Sequence, residues 1–179
     1  GQDEIGYSTF PDLTYSLNLQ VNYKKLSLTA LFQGASMVNT YSQFHALSNF
    51  SKPYEFHYKY RWQPAPDNPD VNINPDAKLP AMLGDGLGRT INNEKNSDFW
   101  RQNTTYLRLK NLNISYSLPQ KWMQTIGIQD LRVFLAGSNL LTLSKLGIYK
   151  TSIDPEATSG AHRVYPPIKT ISIGINVTM

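Results

Sequence analysis

The sequence predicts an all-β protein, an antiparallel transmembrane β-barrel segment of about five strands with a long extracellular loop. Three observations predict this class. Several segments alternate apolar residues with small polar ones, and the connections between them alternate between short and long. No stretch of the 179 residues approaches the ~20 apolar residues of a membrane-spanning helix. Because successive side chains of a strand point to opposite faces, each alternating segment has one apolar and one polar face.

The last predicted strand, residues 167–179, alternates most regularly. Its apolar face carries Ile171, Ile173, Ile175, Val177 and Met179, and its other face carries small or polar residues. Chain ends fray unless neighbouring structure holds them, so we expect this strand to have a partner strand and apolar surroundings. A transmembrane barrel provides both, since its strands are paired and their outer face contacts lipid.

Four further segments have the same pattern. The predicted strands cover residues 13–23, 26–34, 106–118 and 131–143. The third is expected to end at Pro119, which has no amide hydrogen for a strand ladder. In the fourth, Phe134 falls on the polar face, and Asn139-Leu140-Leu141 interrupts the alternation. We expect the polar side to face a wet barrel lumen, and it includes Asn18, Gln20, Asn111, Asn113 and Arg132.

The connections also support a barrel. Residues 24–25 and 119–130 form short connections, the second with an expected helical turn near Lys121, whereas residues 35–105 and 144–166 form long ones. Every other connection of an antiparallel barrel lies at the same rim, and bacterial outer-membrane barrels combine short periplasmic turns with long extracellular loops. The two long loops are therefore predicted to be extracellular.

Composition excludes several function classes. Charged residues make up only 17% of the chain, and the net charge of +4 is too scattered to indicate nucleic-acid binding. There is no cysteine, and His45, His57 and His162 are dispersed, so no metal centre, cofactor site or catalytic cluster is predicted.

Ser138 is not part of a Gly-x-Ser-x-Gly turn, so an enzyme is not expected. Residues 67–76 offer oxygen ligands, but they lack the glycine and glutamate of a calcium loop at the right offsets, and a solvated turn is the favoured interpretation.

The first long loop is rich in aromatic residues. Such rings can stack on sugars or on peptide side chains, although packing of the loop against itself is the favoured alternative. Residues 54–60 alternate aromatic with polar side chains and suggest a short extra strand. The candidate substrate or partner contacts are Tyr41, Phe44, Tyr54, Tyr58, Tyr60 and Trp62.

Several segments resemble a known family in its own order. Residues 106–119 (YLRLKNLNISYSLP) and 131–142 (LRVFLAGSNLLT) resemble two strands of SusC/RagA-type TonB-dependent outer-membrane transporters. Asp154-Pro155-Glu156, Tyr165-Pro166 and the terminal strand follow in the same order, and residues 10–15 and 31–35 resemble the preceding hairpin. The resemblance covers nearly the whole chain except the interior of the first long loop.

The resemblance implies that the chain is the C-terminal part of a barrel of about 22 strands, plugged by an N-terminal domain. Such a protein would lie in the cell outer membrane and import glycans or peptides together with a surface SusD-like lipoprotein. Its other partners would be the remainder of its own barrel and plug, outer-membrane lipid, and the TonB complex, contacted through the missing N-terminal part. The alternative is a soluble β-sandwich carbohydrate-binding module with the aromatic loop as its platform. That alternative requires Leu17 and Ile173 to pack in a common core.

Overall fold

The computed structural model describes residues 6–41, 54–81, 97–123, 127–157 and 167–179. Its main element is one open antiparallel sheet of five long strands, each paired with the next long strand along the chain. A separate ribbon of two short strands, β3 (Asn39–Tyr41) and β4 (Arg101–Asn103), lies in the first long connection. The five strands of the sheet, in order across it, are β1 (Leu13–Tyr23), β2 (Leu26–Ser36), β5 (Tyr106–Ser117), β6 (Asp130–Ser144) and β7 (Thr170–Thr178).

The strand register places most apolar side chains of the five strands on one face, with Leu31 and Phe134 as exceptions. One row across the sheet consists of Val21, Leu28, Ile114, Leu135 and Ile173, each paired with the next. No described residue covers this apolar face: Leu17 and Ile173 are 54% and 77% exposed. A soluble β-sandwich would bury both residues, so the described part of the chain does not support that alternative. The predicted all-β segment of a larger barrel is confirmed, with its sheet open at both edges.

The opposite face of the sheet is polar. Gln20 pairs with Thr29, Thr29 with Asn113, and Asn113 with Ala136. Asn18 and Asn111 lie in the neighbouring row, on either side of Leu31. The residues that the sequence assigns to a barrel lumen therefore share one face.

A β-bulge explains why the alternation changes phase in the third predicted strand. The adjacent residues Leu31 and Phe32 of β2 pair with Asn111 and Leu109, so Lys110 is an extra residue relative to β2. Relative to β6, Lys110 lies between the pairs Leu109–Leu141 and Asn111–Ser138. On β6, Asn139 adopts a left-handed conformation, with φ of 52°. The bulge lets Leu107 and Leu109 share the apolar face with Leu112 and Ile114 although their sequence parity differs.

Two glycines allow aromatic rings to lie across a neighbouring strand. Phe134 is opposite Gly174 on the polar face, and a methyl group at Gly174 would collide with its ring. Phe134 therefore breaks the sequence pattern without breaking the strand. On the apolar face, the ring of Tyr15 crosses Gly34, and its hydroxyl donates a 2.8 Å hydrogen bond to the carbonyl of Tyr106.

The segment predicted as a short extra strand at residues 54–60 is instead a helix, α1 (Glu55–Tyr60). The amide of Tyr54 donates to His57 Nδ1 (3.1 Å), and the amide of Arg61 donates to the carbonyl of His57 (3.0 Å). The helical turn buries Phe56 and leaves Tyr58 exposed, whereas a strand would place these two residues on the same face. Alternation over seven residues indicates a strand, but the packing of Phe56 in the folded chain favours the helix, so the sequence prediction was wrong here.

The other helical elements are equally short. A second helix, α2 (Gln120–Met123), forms the expected turn after β5, and 3₁₀ turns cover Asp98–Trp100 and Gly147–Tyr149. Among the described residues, no helix has the length and apolar character needed to cross a membrane.

Candidate functional site

The connections divide the sheet into a short-turn rim and a long-loop rim. Lys24-Lys25 joins β1 to β2 in a tight turn, with Lys24 at φ of 53°, and α2 lies at the same end of the sheet. Tyr23 and Tyr116 end the apolar face at this rim, and Tyr15 lies near its other end. The 11 residues of β1 are the length that a tilted transmembrane strand needs, about 9–11 residues. The apolar face therefore has the height and the aromatic borders of a lipid-facing surface.

At the long-loop rim, the two long connections pack together in a buried cluster that we term the loop core. Phe56 of the first connection meets Tyr149 of the second edge-on, with ring centroids 4.9 Å apart. Burial raises the pKa of the Tyr149 hydroxyl to about 12. Tyr54 and Tyr60 pack against this cluster from the side. The loop core consists of Phe56, Leu79, Trp100, Leu146, Tyr149 and Ile153.

An ionic cluster joins the second long connection to β5, and we term it the Arg108 cluster. The Arg108 side chain is 2% exposed, and its Nη2 lies 2.9 and 2.8 Å from the two carboxylate oxygens of Asp154. Its Nη1 donates to Glu156 (2.6 Å) and its Nε to the Thr142 hydroxyl (2.9 Å). Lys110 and the Tyr106 hydroxyl complete the cluster by donating to Glu156.

The Arg108 cluster balances its charges. Two cations, Arg108 and Lys110, face two carboxylates, Asp154 and Glu156. Burial alone would raise the pKa of Glu156. The hydrogen bonds from Lys110 and Tyr106, with the positive charges of Arg108 and Lys110, outweigh burial and hold that pKa below its ordinary value. These charge-assisted bonds position the second long connection over the polar face of the sheet.

The predicted contact residues separate into two groups. Tyr54 and Tyr60 are partly buried against the loop core, as the packing alternative expects, whereas Tyr58 and Trp62 are 71% and 39% exposed. Tyr41 is the last residue of β3, and its side chain lies outside the described part, as does the whole of Phe44. Contact of these residues with a substrate or partner remains a prediction.

Trp62 lines an open groove together with Phe99, a residue that the sequence did not point to. Phe99 is 51% exposed, and its ring meets that of the loop-core residue Trp100 at 90°, with ring centroids 4.7 Å apart. We term this surface the Trp62–Phe99 groove; its volume is about 370 Å³. Its other lining residues are Ala77, Lys78, Leu79, Pro80 and Ala81.

The Asp/Asn-rich segment at residues 67–76 uses its side chains to hold its own backbone. Asn72 Oδ1 accepts hydrogen bonds from the amides of Gln63 (2.9 Å) and Asn74 (3.1 Å). The Asn74 side-chain amide donates to the carbonyls of Lys59 (3.0 Å) and Arg61 (2.8 Å). Within the described ranges, no group of three or more His, Cys, Asp or Glu residues could hold a metal ion. The segment is a turn that supports the end of α1.

Relatives of this chain are found among receptors and importers, although no family model matches it. It is 27% identical to TonB-dependent receptor P26 of Formosa agariphila over 191 aligned positions, which cover 96% of this chain and 17% of that receptor. TonB-dependent receptor P3 of the same organism is 25% identical over 183 positions, covering 93% of this chain and 16% of that receptor. The chain therefore spans about a sixth of the length of these relatives.

Solved structures agree with the sequence relatives. The RagAB peptide importer in its open-open state superposes with a TM-score of 0.62 at 23% identity, covering 97% of this chain and 18% of that chain. In the closed-closed state the TM-score is 0.61 and the identity 25%, with the same coverage. The resemblance to SusC/RagA-type TonB-dependent transporters is confirmed.

The sequence contained the residues of the Arg108 cluster in two separate motifs and did not show that they meet. Arg108 and Lys110 lie in one resembling segment, and Asp154 and Glu156 in another, about 46 residues apart. A cation inside an alternating strand indicates that its face contacts water or a partner, because a charged side chain is costly on a face that contacts lipid. The carboxylates that pair with it became identifiable only when β5 and the second long connection were brought together.

Proposed function

We propose that this chain is part of the wall of an outer-membrane importer that takes up glycans or peptides. One observation carries the proposal. Five paired strands expose a continuous apolar face on one side and a polar face on the other, in a chain related to TonB-dependent receptors. In a barrel wall, the apolar face contacts lipid and the polar face lines the lumen.

The open edges of the sheet support a larger assembly. Within the described residues, β1 and β7 each pair on one side only, and unpaired backbone groups cannot remain exposed in lipid. Five strands are also fewer than the smallest single-chain barrels, which have about eight. Further strands of the same barrel therefore pair with β1 and β7, and a plug domain fills the lumen against the polar face.

We further propose that the long-loop rim is extracellular and faces a SusD-like surface lipoprotein, while TonB acts through another part of the whole protein. The likeness to the RagAB peptide importer supports this arrangement. Exposed aromatic side chains at that rim, among them Tyr58 and Trp62, are suited to contact a ligand or the lipoprotein. The relatives are named as receptors and importers rather than enzymes, and we propose no catalytic reaction.

The test is uptake by living cells. The gene for the complete protein is deleted, and the import of labelled oligosaccharides and peptides is compared with and without a plasmid copy. We expect import of at least one nutrient to require the gene, the proton-motive force and TonB. Recovery of the complete protein in the soluble fraction, or unchanged import of every tested nutrient, would reject the proposal.

A further inference from the structure

Three cationic side chains gather on aromatic rings beside the Trp62–Phe99 groove. The ammonium groups of Lys59 and Lys78 both lie 5.5 Å from the ring centroid of Tyr60. The Arg61 guanidinium lies 4.3 Å from the ring centroid of Tyr58, and its Nη1 donates to the Tyr58 carbonyl (3.2 Å). Lys78 also lines the groove, Lys59 shares the Tyr60 ring with it, and Arg61 directly precedes the groove residue Trp62 in the chain.

These cations differ from three others at the same rim that are held in ion pairs, Arg101, Arg108 and Lys110. Arg101 pairs with Asp98 at 3.2 Å, and Arg108 and Lys110 pair with carboxylates of the second long connection. Lys59, Arg61 and Lys78 form no ion pair with a carboxylate in the described part of the chain, although Glu55 and Asp76 are close in sequence. Contact with the rings orients the positive charges and leaves them available to an anionic ligand.

We propose that the Trp62–Phe99 groove with Lys59, Arg61 and Lys78 binds an acidic glycan, one that carries carboxylate or sulfate groups. This inference rests on the proposed import function and assigns it a substrate class. The exposed rings of Trp62 and Phe99 match the apolar faces of sugar rings, and the three cations match the anionic substituents.

The backbone beside the groove favours a glycan over an acidic peptide. An extended peptide is commonly bound by pairing with a free strand edge. Here the amide of Trp62 donates to the carbonyl of Leu79 (2.8 Å), and the amide of Leu79 donates to the carbonyl of Tyr60 (2.9 Å). The backbone hydrogen-bonding groups of these two segments are therefore already paired with each other. A ligand in the groove would be recognised by side chains, as is usual for sugars.

The experiment measures binding to the complete transporter, purified in detergent, by calorimetry. The probes are hexagalacturonate, which is acidic, maltohexaose, which is neutral, and a hexaglutamate peptide. We expect hexagalacturonate to bind best, and more weakly as ionic strength rises. Lys59→Gln with Lys78→Gln should weaken its binding about tenfold, because each exposed charge contributes modestly. Trp62→Ala should weaken it by about the same factor, since it removes one stacking surface.

Two control variants separate charge from folding. Lys59→Arg with Lys78→Arg keeps both charges and should bind like the wild type. Lys150→Gln removes an exposed charge elsewhere at the same rim and should have no effect. Equal binding of maltohexaose, unchanged binding by the glutamine variant, or preference for hexaglutamate would each overturn the assignment of an acidic glycan. If cells still need the gene to import a neutral glycan or a peptide, the proposed function stands and this inference alone fails.

Discussion

Removal of the Arg108 side chain is the most informative perturbation that the structure suggests. Arg108 is 2% exposed and Asp154 6% exposed, so the Arg108→Gln variant leaves the Asp154 carboxylate buried without its cation. Removing one partner of a buried ion pair typically costs about 3–5 kcal/mol. Glu156 is 31% exposed and keeps Lys110, so the loss arises mainly at Asp154.

The assay is hydrogen exchange of the complete transporter in detergent or nanodiscs, read on peptides from the second long connection. The amides of Ser152 and Ile153 both donate to the carbonyl of Tyr149 (3.0 Å), so their exchange reports opening of this segment. A loss of about 3 kcal/mol corresponds to exchange that is roughly a hundredfold faster, because each ~1.4 kcal/mol changes an equilibrium constant tenfold. Exchange across β1, at the far edge of the sheet, should be unchanged.

Arg132→Gln is the matched control. Arg132 lies on the same face, but it is exposed and makes only a 3.4 Å hydrogen bond to Ser117, so its loss should change little. Adding Asp154→Asn to Arg108→Gln should restore part of the protection, because the uncompensated charge is then removed. If Arg108→Gln leaves the exchange of Ser152 and Ile153 unchanged, or if Arg132→Gln has the same effect, the Arg108 cluster does not hold this segment.

Three further predictions follow from other parts of the structure. The folded-state pKa of Glu156 is lowered, so the stabilisation from its charge is complete above the ordinary value of 4.5 and is lost as pH falls through the lower folded value. Hydrogen exchange of the second long connection in the wild type should therefore approach that of Glu156→Gln under acid. A constant difference between the two down to the lowest pH would contradict this. Leu19→Arg places a charge on the apolar face at mid-strand and should lower the stability of the barrel by about 2–4 kcal/mol, seen on gels as loss of the heat-resistant folded form. Gln20→Arg, on the polar face, should be tolerated. Equal effects of the two variants would refute the assignment of the faces. Gly34→Ala should reduce the amount of folded barrel at the cell surface, because the new methyl group would collide with the carbonyl of Tyr106 and with the ring of Tyr15. Normal surface levels would show that the strands can move apart to accommodate it.

Alternation in the sequence was sufficient to predict the strands of the sheet and their two faces. β1 spans the predicted residues 13–23, and the other strands differ by a few residues at their ends; β7, for example, begins at Thr170 rather than at residue 167. The reason is local: in a strand, the side-chain direction follows from sequence parity, so a face exposed to lipid imposes a period of two. Where parity failed, at Lys110 and Asn139, the cause was a bulge that depends on both paired strands.

The long connections could not be predicted in the same way. Glu55–Tyr60 form a helix rather than a strand, because Phe56 packs against Tyr149 of a connection nearly a hundred residues later. The Trp62–Phe99 groove likewise joins residues 37 positions apart. Such contacts depend on which strands bring the connections together, and no local pattern encodes that.

The sequence by itself determined the all-β class, the apolar and polar faces, the order of short and long connections, and the resemblance to TonB-dependent transporters, because each is written in residue alternation or in motifs of a few neighbouring residues. Only the tertiary structure decided that Arg108 is buried between Asp154 and Glu156, that Tyr60 supports packing while Tyr58 and Trp62 stay exposed, and that Phe99 shares a groove with Trp62. Burial and ion pairing depend on residues distant in the chain that the folded sheet brings into contact.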